Sequence, residues 1–331
     1  MYLSRSFCLN FCLNFCFVCH IQRCSKQSFL LDDAVKDFKQ LQFQYLIGVD
    51  GGGTGTRVLL VDKNGKELAR ASAGPSGLMH GAKAAWESIL TAIERAFAET
   101  GISMPVLDQM AIGCGLAGVN NKVWADEFRA TNPGFAGLAV ETDAGTTLLG
   151  AHQGQPGVII ALGTGSVGEV MYADGSRREV GGWGFPSSDE ASGAWMGLRA
   201  INHVQHALDG RSPMDTFAQA LIDFCGGSRD AVFAWLGGAN QTKFAQLAPL
   251  VIEHAGQSPK AKNILLDAGL EVEKMAHALD PTGSMPIALC GGLAEAIWTY
   301  LPEKLLQRVT KPSGDSAAGA LILVKKQFLK S

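Results

Sequence analysis

A β-strand, a glycine-rich turn and a second β-strand are predicted twice in this chain, near residues 45–62 and again near 158–172. In the first copy an apolar run ends at Asp50 and meets the turn Gly51, Gly52, Gly53, Thr54. Glycine lacks a Cβ, so such a turn is tight and lets backbone N–H groups approach an anion closely. Asp50 then stands where a divalent cation would neutralise that anion. The repeat predicts two phosphate-binding turns, with an ordinary hairpin turn as the alternative for each copy.

Neither turn fits the better known nucleotide-binding loops. After the first turn no lysine follows, and residues 58–61 are apolar and β-rich, whereas a P-loop needs a lysine and then a helix. Residues 163–168 satisfy Gly-x-Gly-x-x-Gly, the pattern of a Rossmann dinucleotide site. That pattern must open a helix, but residues 167–172 alternate like a strand and soon reach the turn Asp174-Gly175. A second phosphate-holding hairpin is therefore favoured.

The hydrophobic periodicity predicts alternating strands and helices from residue 45 onward. The region 188–280 is predicted to be mostly helical, with breaks at glycines and at Pro213. The other predicted elements are strands near 45–50, 56–62, 66–71, 108–113, 137–141, 158–162, 167–172, 176–180 and 286–290, and helices near 82–100, 121–130, 143–152 and 314–328.

Size and charge narrow the class of function. The 331 residues are 47% hydrophobic and include 40 glycines, a composition typical of α/β enzymes large enough for two domains. The formal net charge of −3 offers no basic surface for nucleic acid or for an anionic membrane. The expected partner is a small molecule, and a homodimer is the candidate assembly.

Five of the eight cysteines lie in the first 24 residues. A secretory signal is one interpretation, but asparagines interrupt the apolar run and no small-residue cleavage site is evident. The spacing of these cysteines matches no usual zinc or iron–sulfur pattern. Residues 1–44 are therefore interpreted as a non-native or disordered extension. The scattered Cys114, Cys225 and Cys290 are typical of a reduced, cytoplasmic protein.

Two acidic residues are candidates for the chemistry. Asp143 follows a predicted strand and begins a helix, so it could accept a proton from an attacking hydroxyl, or it could simply cap the helix. Asp189 follows the aromatic segment 181–186, where it could bind sugar hydroxyls, or it or Ser188 could be a cap with the aromatic residues in the core. His203 and His206 lack zinc-site spacing and are interpreted as structural or solvated.

These segments, in this order, resemble the acetate and sugar kinase, heat-shock protein 70 and actin superfamily. Within it the chain is similar to the BadF/BadG/BcrA/BcrD ATPase family, on its N-acetylglucosamine and glucosamine kinase branch. The resemblance covers about residues 45–328 and is most specific at residues 48–54, 142–144, 161–166 and 181–190. It implies a two-domain actin-like, ribonuclease H-like α/β fold of duplicated βββαβαβα units. The domains implied are 45–145 with helix 314–328, and 146–313 with a helical insertion.

The same resemblance implies roles for individual residues. Asp50 would hold Mg²⁺, directly or through water, and Asp143 would be the catalytic base. The sugar would contact the loop with Ser76 and Gly77, and also Gly165 and Asp189. ATP and its phosphates would contact the two turns and a later glycine pair, namely Gly51, Gly52, Gly53, Thr54, Gly163, Thr164, Gly165, Ser166, Gly291 and Gly292.

The activity implied is transfer of the ATP γ-phosphoryl to an amino sugar, expected at the 6-hydroxyl of N-acetylglucosamine. The chain departs from the family pattern at Gly77 and Val167, so glucosamine remains an alternative acceptor. An activator ATPase of a 2-hydroxyacyl-CoA dehydratase is another alternative, but the turn at 163–168 has no cysteine for its iron–sulfur cluster. A non-catalytic nucleotide-dependent sensor is a third, against which Asp143 and Asp189 argue.

Overall fold

A computed structural model describes residues 43–329, and the predicted extension up to residue 42 lies outside the described residues. Phe43 and Gln44, which the sequence analysis placed in that extension, belong to the fold. The Phe43 side chain is buried and meets the Phe328 ring edge-on, with ring centroids 6.0 Å apart. The backbone N–H of Gln44 donates to the carbonyl of Gln109. The predicted boundary at residue 44 is therefore too late.

The first sheet has the strand order β3-β2-β1-β4-β5, in which β1, β4 and β5 are parallel and β2 is antiparallel to both neighbours. Helices α1 and α2 cover one face and bury Trp86 and Phe128 as a stacked pair. Helix α3 leaves the end of β5. The bounds are β1 Tyr45–Gly51, β2 Thr56–Asp62, β3 Glu67–Ala73, α1 Ala82–Thr100, β4 Met110–Leu116, α2 Lys122–Ala130, β5 Gly137–Thr142 and α3 Asp143–Ala151.

The second sheet repeats this arrangement, with the order β10-β9-β6-β7-β8. Strand β6 takes the place of β1, pairing antiparallel with β7 and parallel with β9. Both halves run βββαβαβα, as predicted. Strand β10 was missed because two residues are too short to show a period. The bounds are β6 Gly157–Leu162, β7 Ser166–Met171, β8 Arg177–Gly181, β9 Ile287–Cys290 and β10 Val309–Thr310.

Helices fill the region between β8 and β9, confirming the prediction for 188–280. Polar side chains accept backbone N–H bonds at the starts of most of these helices, for example Ser192 before α4 and Asp215 before α5. No described helix is both long and apolar enough to cross a membrane. These helices are α4 Gly193–Leu208, α5 Thr216–Phe224, α6 Arg229–Gly237, α7 Gln241–Ala245, α8 Ala248–His254 and α9 Pro259–Leu279. Three more helices follow β9, namely α10 Ala294–Trp298, α11 Glu303–Leu306 and α12 Ser316–Phe328.

Helices α3 and α12 contact each other along their lengths and join the two sheets into one compact unit. Leu321 and Val324 of α12 pack on the first sheet, and Leu148 of α3 packs on the second. The two helices approach so closely at Gly319 that a Cβ there would collide with the carbonyl oxygen of Thr146. The packing of α12 on the first sheet supports our proposal that it belongs with residues 45–145 as one domain.

We expect Gly319→Ala to lower the free energy of unfolding by about 1–3 kcal/mol, because the added methyl group overpacks a backbone contact. This loss would occur even though alanine favours a helix over glycine by about 1 kcal/mol. Urea unfolding measures the change. Gly256→Ala is the control, since a Cβ at that exposed position meets nothing within 4 Å. Equal stability of the two variants would contradict the close packing of α3 and α12.

Candidate active site

The first glycine turn lies at the carboxyl end of β1. Asp50 is the residue before it and lies in register with Gly115 of β4, which in turn lies in register with Glu141 of β5. The Gly52 N–H donates to the Gly55 carbonyl at 2.9 Å and closes the turn. Gly53 and Thr54 at its tip are exposed, and their N–H groups have no acceptor in the described part of the chain. Free backbone N–H groups of this kind suit a phosphate.

The loop that contains Ser76 and Gly77 is bonded to this turn. Both backbone N–H groups donate to the carbonyl of Gly52, at 3.1 Å and 2.9 Å. The Ser76 side chain is completely buried, and its hydroxyl accepts a 2.7 Å bond from Thr56. The Ser76 hydroxyl is thus bonded within the protein, and the sugar contact implied for Ser76 remains a prediction. Ser76 supports the turn through its bonds to Gly52 and Thr56. Gly77 likewise remains a predicted sugar contact.

The second glycine turn lies at the carboxyl end of β6 and is one residue shorter than the first. The Gly163 N–H donates to the Gly165 carbonyl at 2.9 Å, and Thr164 at the tip is exposed. Helix α4 begins against it, since the Gly193 N–H donates to the Gly163 carbonyl at 2.8 Å. Ser166 differs from the tip residues because it is buried and donates its hydroxyl to the Glu190 carbonyl at 2.7 Å. Its hydroxyl is bonded within the protein, and its phosphate contact remains a prediction.

Gly291 and Gly292 lie beside the second turn, at the carboxyl end of β9. Gly291 has φ +87°, and a Cβ there would collide with the carbonyl oxygen of Leu162, the residue before the turn. Only glycine fits this position without strain. Gly292 is exposed and has open space where a side chain would be. The pair therefore leaves room for a ligand next to the second turn, and the contact with adenosine remains a prediction.

Asp143 is the first residue of α3 and is exposed to solvent. Asp143 does not cap α3, the alternative role given above, because Thr142 caps this helix by accepting the Gly145 N–H at 3.0 Å. One Asp143 oxygen accepts only the neighbouring Ala144 N–H, at 3.0 Å. Desolvation raises the pKa of Asp143, and the hydrogen bond from the Ala144 N–H opposes this rise. A free, accessible carboxylate with a raised pKa suits proton acceptance.

Asp50 lies in an acidic environment. Desolvation raises its pKa most, the Arg57 guanidinium at 3.5 Å opposes this, and the charges of Asp143 and Asp315 raise the pKa further. The charge of Asp143 thus acts on the Asp50 carboxylate. Within residues 43–329 no group of three or more His, Cys, Asp or Glu side chains forms a metal cage. This excess of negative charge around one carboxylate fits Mg²⁺, which binds few carboxylates and takes its other ligands from water and phosphate.

Asp189 follows a loop that bends back towards the second turn. Its carboxylate is almost completely buried, with one oxygen accepting the Ser166 N–H at 3.2 Å. It does not cap α4, since Ser192 does. Asp189 and Ala191 both have positive φ, +65° and +64°, an uncommon conformation for residues other than glycine that is often found at functional sites. Trp183 in the same loop is 87% exposed, so it is not a core residue.

An ion-pair network that the sequence did not reveal connects the two sheets. Arg177 of β8 donates to Glu141 of β5 at 2.7 Å and to Glu169 of β7 at 2.6 Å. Its guanidinium also lies where a Cβ on Gly145 of α3 would be. Glu169 is buried, its other oxygen has no partner among the described residues, and desolvation raises its pKa against the opposing effect of Arg177. Arg177 therefore holds the end of β5 and the start of α3 against the second sheet.

His203 and His206 fit the interpretation that they are structural or solvated. His203 is buried and bonded to Asp215 at 3.0 Å, while His206 is exposed. Cys114, Cys225 and Cys290 are free and buried. Burial raises the pKa of the Cys290 thiol to about 12, so it is not a nucleophile at neutral pH.

The family model of the BadF/BadG/BcrA/BcrD ATPase family matches residues 47–324, most of the chain and all of the turns described above. The chain belongs to this family. It is 34% identical over 284 residues to the glucosamine kinase GspK of Vibrio cholerae, covering 85% of this chain and 96% of that one. It is 29% identical over 315 residues to the N-acetyl-D-glucosamine kinase of Dictyostelium discoideum, covering 85% and 97%.

Among solved structures, this chain is similar to a Chromobacterium violaceum protein provisionally described as an N-acetylglucosamine kinase. The two chains are 51% identical with a TM-score of 0.83, covering 86% of this chain and 99% of that one. The predicted α/β fold of two repeated units is confirmed by the two sheets of equal order. As an ATPase family member, this protein uses ATP.

Proposed function

We propose that this protein is an ATP-dependent amino-sugar kinase that transfers the γ-phosphoryl group to the 6-hydroxyl of N-acetylglucosamine, with glucosamine as the alternative acceptor. The observation that carries the proposal is Asp143, an exposed carboxylate that does not cap its helix and whose charge acts on Asp50. A nucleotide sensor without an acceptor would have no use for such a base. The relatives named above, which are kinases of these two sugars, support the choice of acceptor class.

In the proposed reaction the two glycine turns bind the ATP phosphates through free backbone N–H groups at Gly53, Thr54 and Thr164. Asp143 accepts the proton of the sugar hydroxyl as that oxygen attacks phosphorus in line with the leaving ADP. Asp50 would hold Mg²⁺, which when bound neutralises charge on the phosphate oxygens. Most of the rate enhancement then comes from positioning and electrostatics.

The activator ATPase alternative is disfavoured by the same site. Such an activator needs cysteines at a subunit interface to hold an iron–sulfur cluster, but the three cysteines within residues 43–329 are all buried. Buried free thiols also agree with the cytoplasmic location that we propose.

The test is ADP release by the purified full chain with ATP and Mg²⁺ across a panel of N-acetylglucosamine, glucosamine, N-acetylmannosamine, glucose and water alone. We expect N-acetylglucosamine or glucosamine to give a kcat/KM at least about 100-fold above that of glucose, the scale set by losing contacts to one substituent. Phosphorus NMR of the product identifies the esterified oxygen. ADP release that no sugar stimulates would refute the kinase proposal.

A further inference from the structure

A residue of the helical region reaches the predicted sugar side of the site. Gln241, the first residue of α7, donates its side-chain amide to Asp189 Oδ2 at 2.7 Å. Gly165 lies beside both, because a Cβ there would be 3.0 Å from Asp189 Oδ1 and 3.0 Å from Gln241 Nε2. Gly165, Asp189 and Gln241 therefore form one group, which we call the acceptor cluster. Two of its three members are predicted sugar contacts.

The conformation of Asp189 needs support from outside its own loop. Its backbone is in the left-handed region, at φ +65°, and its side chain is held from two directions, by the Ser166 N–H and by Gln241. A carboxylate has about four acceptor positions. These two bonds leave about two of them for a ligand. Gln241 thus fixes which way the remaining positions of Asp189 face.

Gln241 itself is held by close helix packing and not by a loose loop. Helix α7 lies against α4, where a Cβ on Gly197 would collide with the carbonyl of Phe244 and one on Gly193 would lie 3.2 Å from Ala245. Asn240 caps α7 by accepting the Lys243 N–H at 3.0 Å. The amide oxygen of Gln241 has no hydrogen-bond donor among residues 43–329. It is free to accept a bond from a ligand.

From this geometry we propose that Gln241 is a specificity-determining residue of the acceptor site. Its Nε2 donates to Asp189, and its amide oxygen accepts a hydrogen bond from a hydroxyl or amine group of the bound sugar. The proposal depends on the proposed kinase function. It adds that the acceptor is recognised from the helical region as well as from the two turns. A donor and an acceptor on neighbouring side chains discriminate hydroxyl positions, since a sugar lacking the matching group leaves a polar atom unpaired.

The test uses Gln241→Leu in the full chain, which keeps similar size but removes both hydrogen-bonding functions. We expect kcat/KM for the preferred sugar to fall about 10-fold to 100-fold, the loss typical of one or two hydrogen bonds involving a charged group. The fall should appear mainly in KM for the sugar, while KM for ATP stays within about twofold. Gln246→Leu, at an exposed position just after the same helix, is the matched control and should behave as wild type.

A set of 3-deoxy and 4-deoxy analogues of the preferred sugar separates recognition from a merely structural effect. In wild type the analogue lacking the hydroxyl at the cluster loses activity, and in Gln241→Leu that same analogue should lose at least about 5-fold less relative to the parent sugar. Gln241→Met is a second variant of similar shape that also lacks both hydrogen-bonding functions, for which the same reduced penalty is expected. Unchanged penalties in both variants, or equal changes in KM for sugar and ATP, would overturn the proposal. If wild type phosphorylates no sugar, the proposed function itself has failed, which is a distinct result.

Discussion

Asp143→Asn should abolish sugar phosphorylation almost completely while leaving ATP binding intact. Removing a general base typically costs about 10²-fold to 10⁴-fold in rate. Asparagine keeps an oxygen that can accept the Ala144 N–H, and the helix cap is Thr142, so the fold should be unaffected. The measurements are kcat from coupled ADP release and the ATP dissociation constant from calorimetry. A variant that keeps more than a tenth of wild-type kcat would show that Asp143 is not the base.

Asp230→Asn is the matched control for this variant, because Asp230 is also an exposed aspartate in the first turn of a helix, α6. The pH dependence gives a second check. Desolvation raises the pKa of Asp143, and a base must be deprotonated to act, so kcat should fall as pH drops through a value above that of an ordinary aspartate. This acid limb should be missing from the residual activity of Asp143→Asn.

Arg177→Met should destabilise the protein strongly at neutral pH, by about 3 kcal/mol. Removing one member of a buried ion pair leaves the other charge unpaired, which typically costs about 3–5 kcal/mol. The lower figure applies because the Arg177 side chain is 27% exposed, whereas that of Glu169 is 7% exposed. Urea unfolding at pH 8 measures the loss. Arg178→Met is the control, since exposed Arg178 only donates to the carbonyl of Ala278.

The sign of the pH effect on this variant follows from Glu169. Burial already raises its pKa, and loss of the Arg177 charge raises it further. A carboxyl group with a raised pKa in the folded state favours folding when protonated, so this contribution is complete below the unfolded pKa and is lost as pH rises through the folded pKa. The stability gap between Arg177→Met and wild type should therefore narrow as pH falls from 8 to 5. The double variant Arg177→Met, Glu169→Gln should recover most of the loss, and a gap independent of pH would contradict this account.

The sequence predicted the parts of the fold and site that depend on local pattern. The two strand, turn, strand units and the long helix α1 carry clear periodicity, and glycine turns are recognisable from their composition. Asp143 was chosen as the candidate base for the same reason, since it follows a recognisable strand. The two-residue strand β10 carries no period, so it was missed.

The residues that the sequence analysis missed act through long-range contacts. Arg177 meets Glu141 only because two sheets fold against each other, and Gln241 meets Asp189 across 52 positions of sequence. Neither lies in a motif, and charged or amide residues near a turn are usually solvated. Ser76 was placed correctly in its loop, but burial of its side chain depends on packing against Gly51, which only the folded chain reveals.

The position of α12 on the first sheet constrains how this chain can be synthesised and folded. Its residues Ala317, Leu321 and Val324 cover Leu46, Leu59 and Val61, which leave the ribosome long before them. That apolar face therefore stays uncovered until nearly the whole chain has been translated, and contacts so distant in sequence form slowly. Nascent chains, and fragments truncated before α12, should consequently need chaperone protection or aggregate.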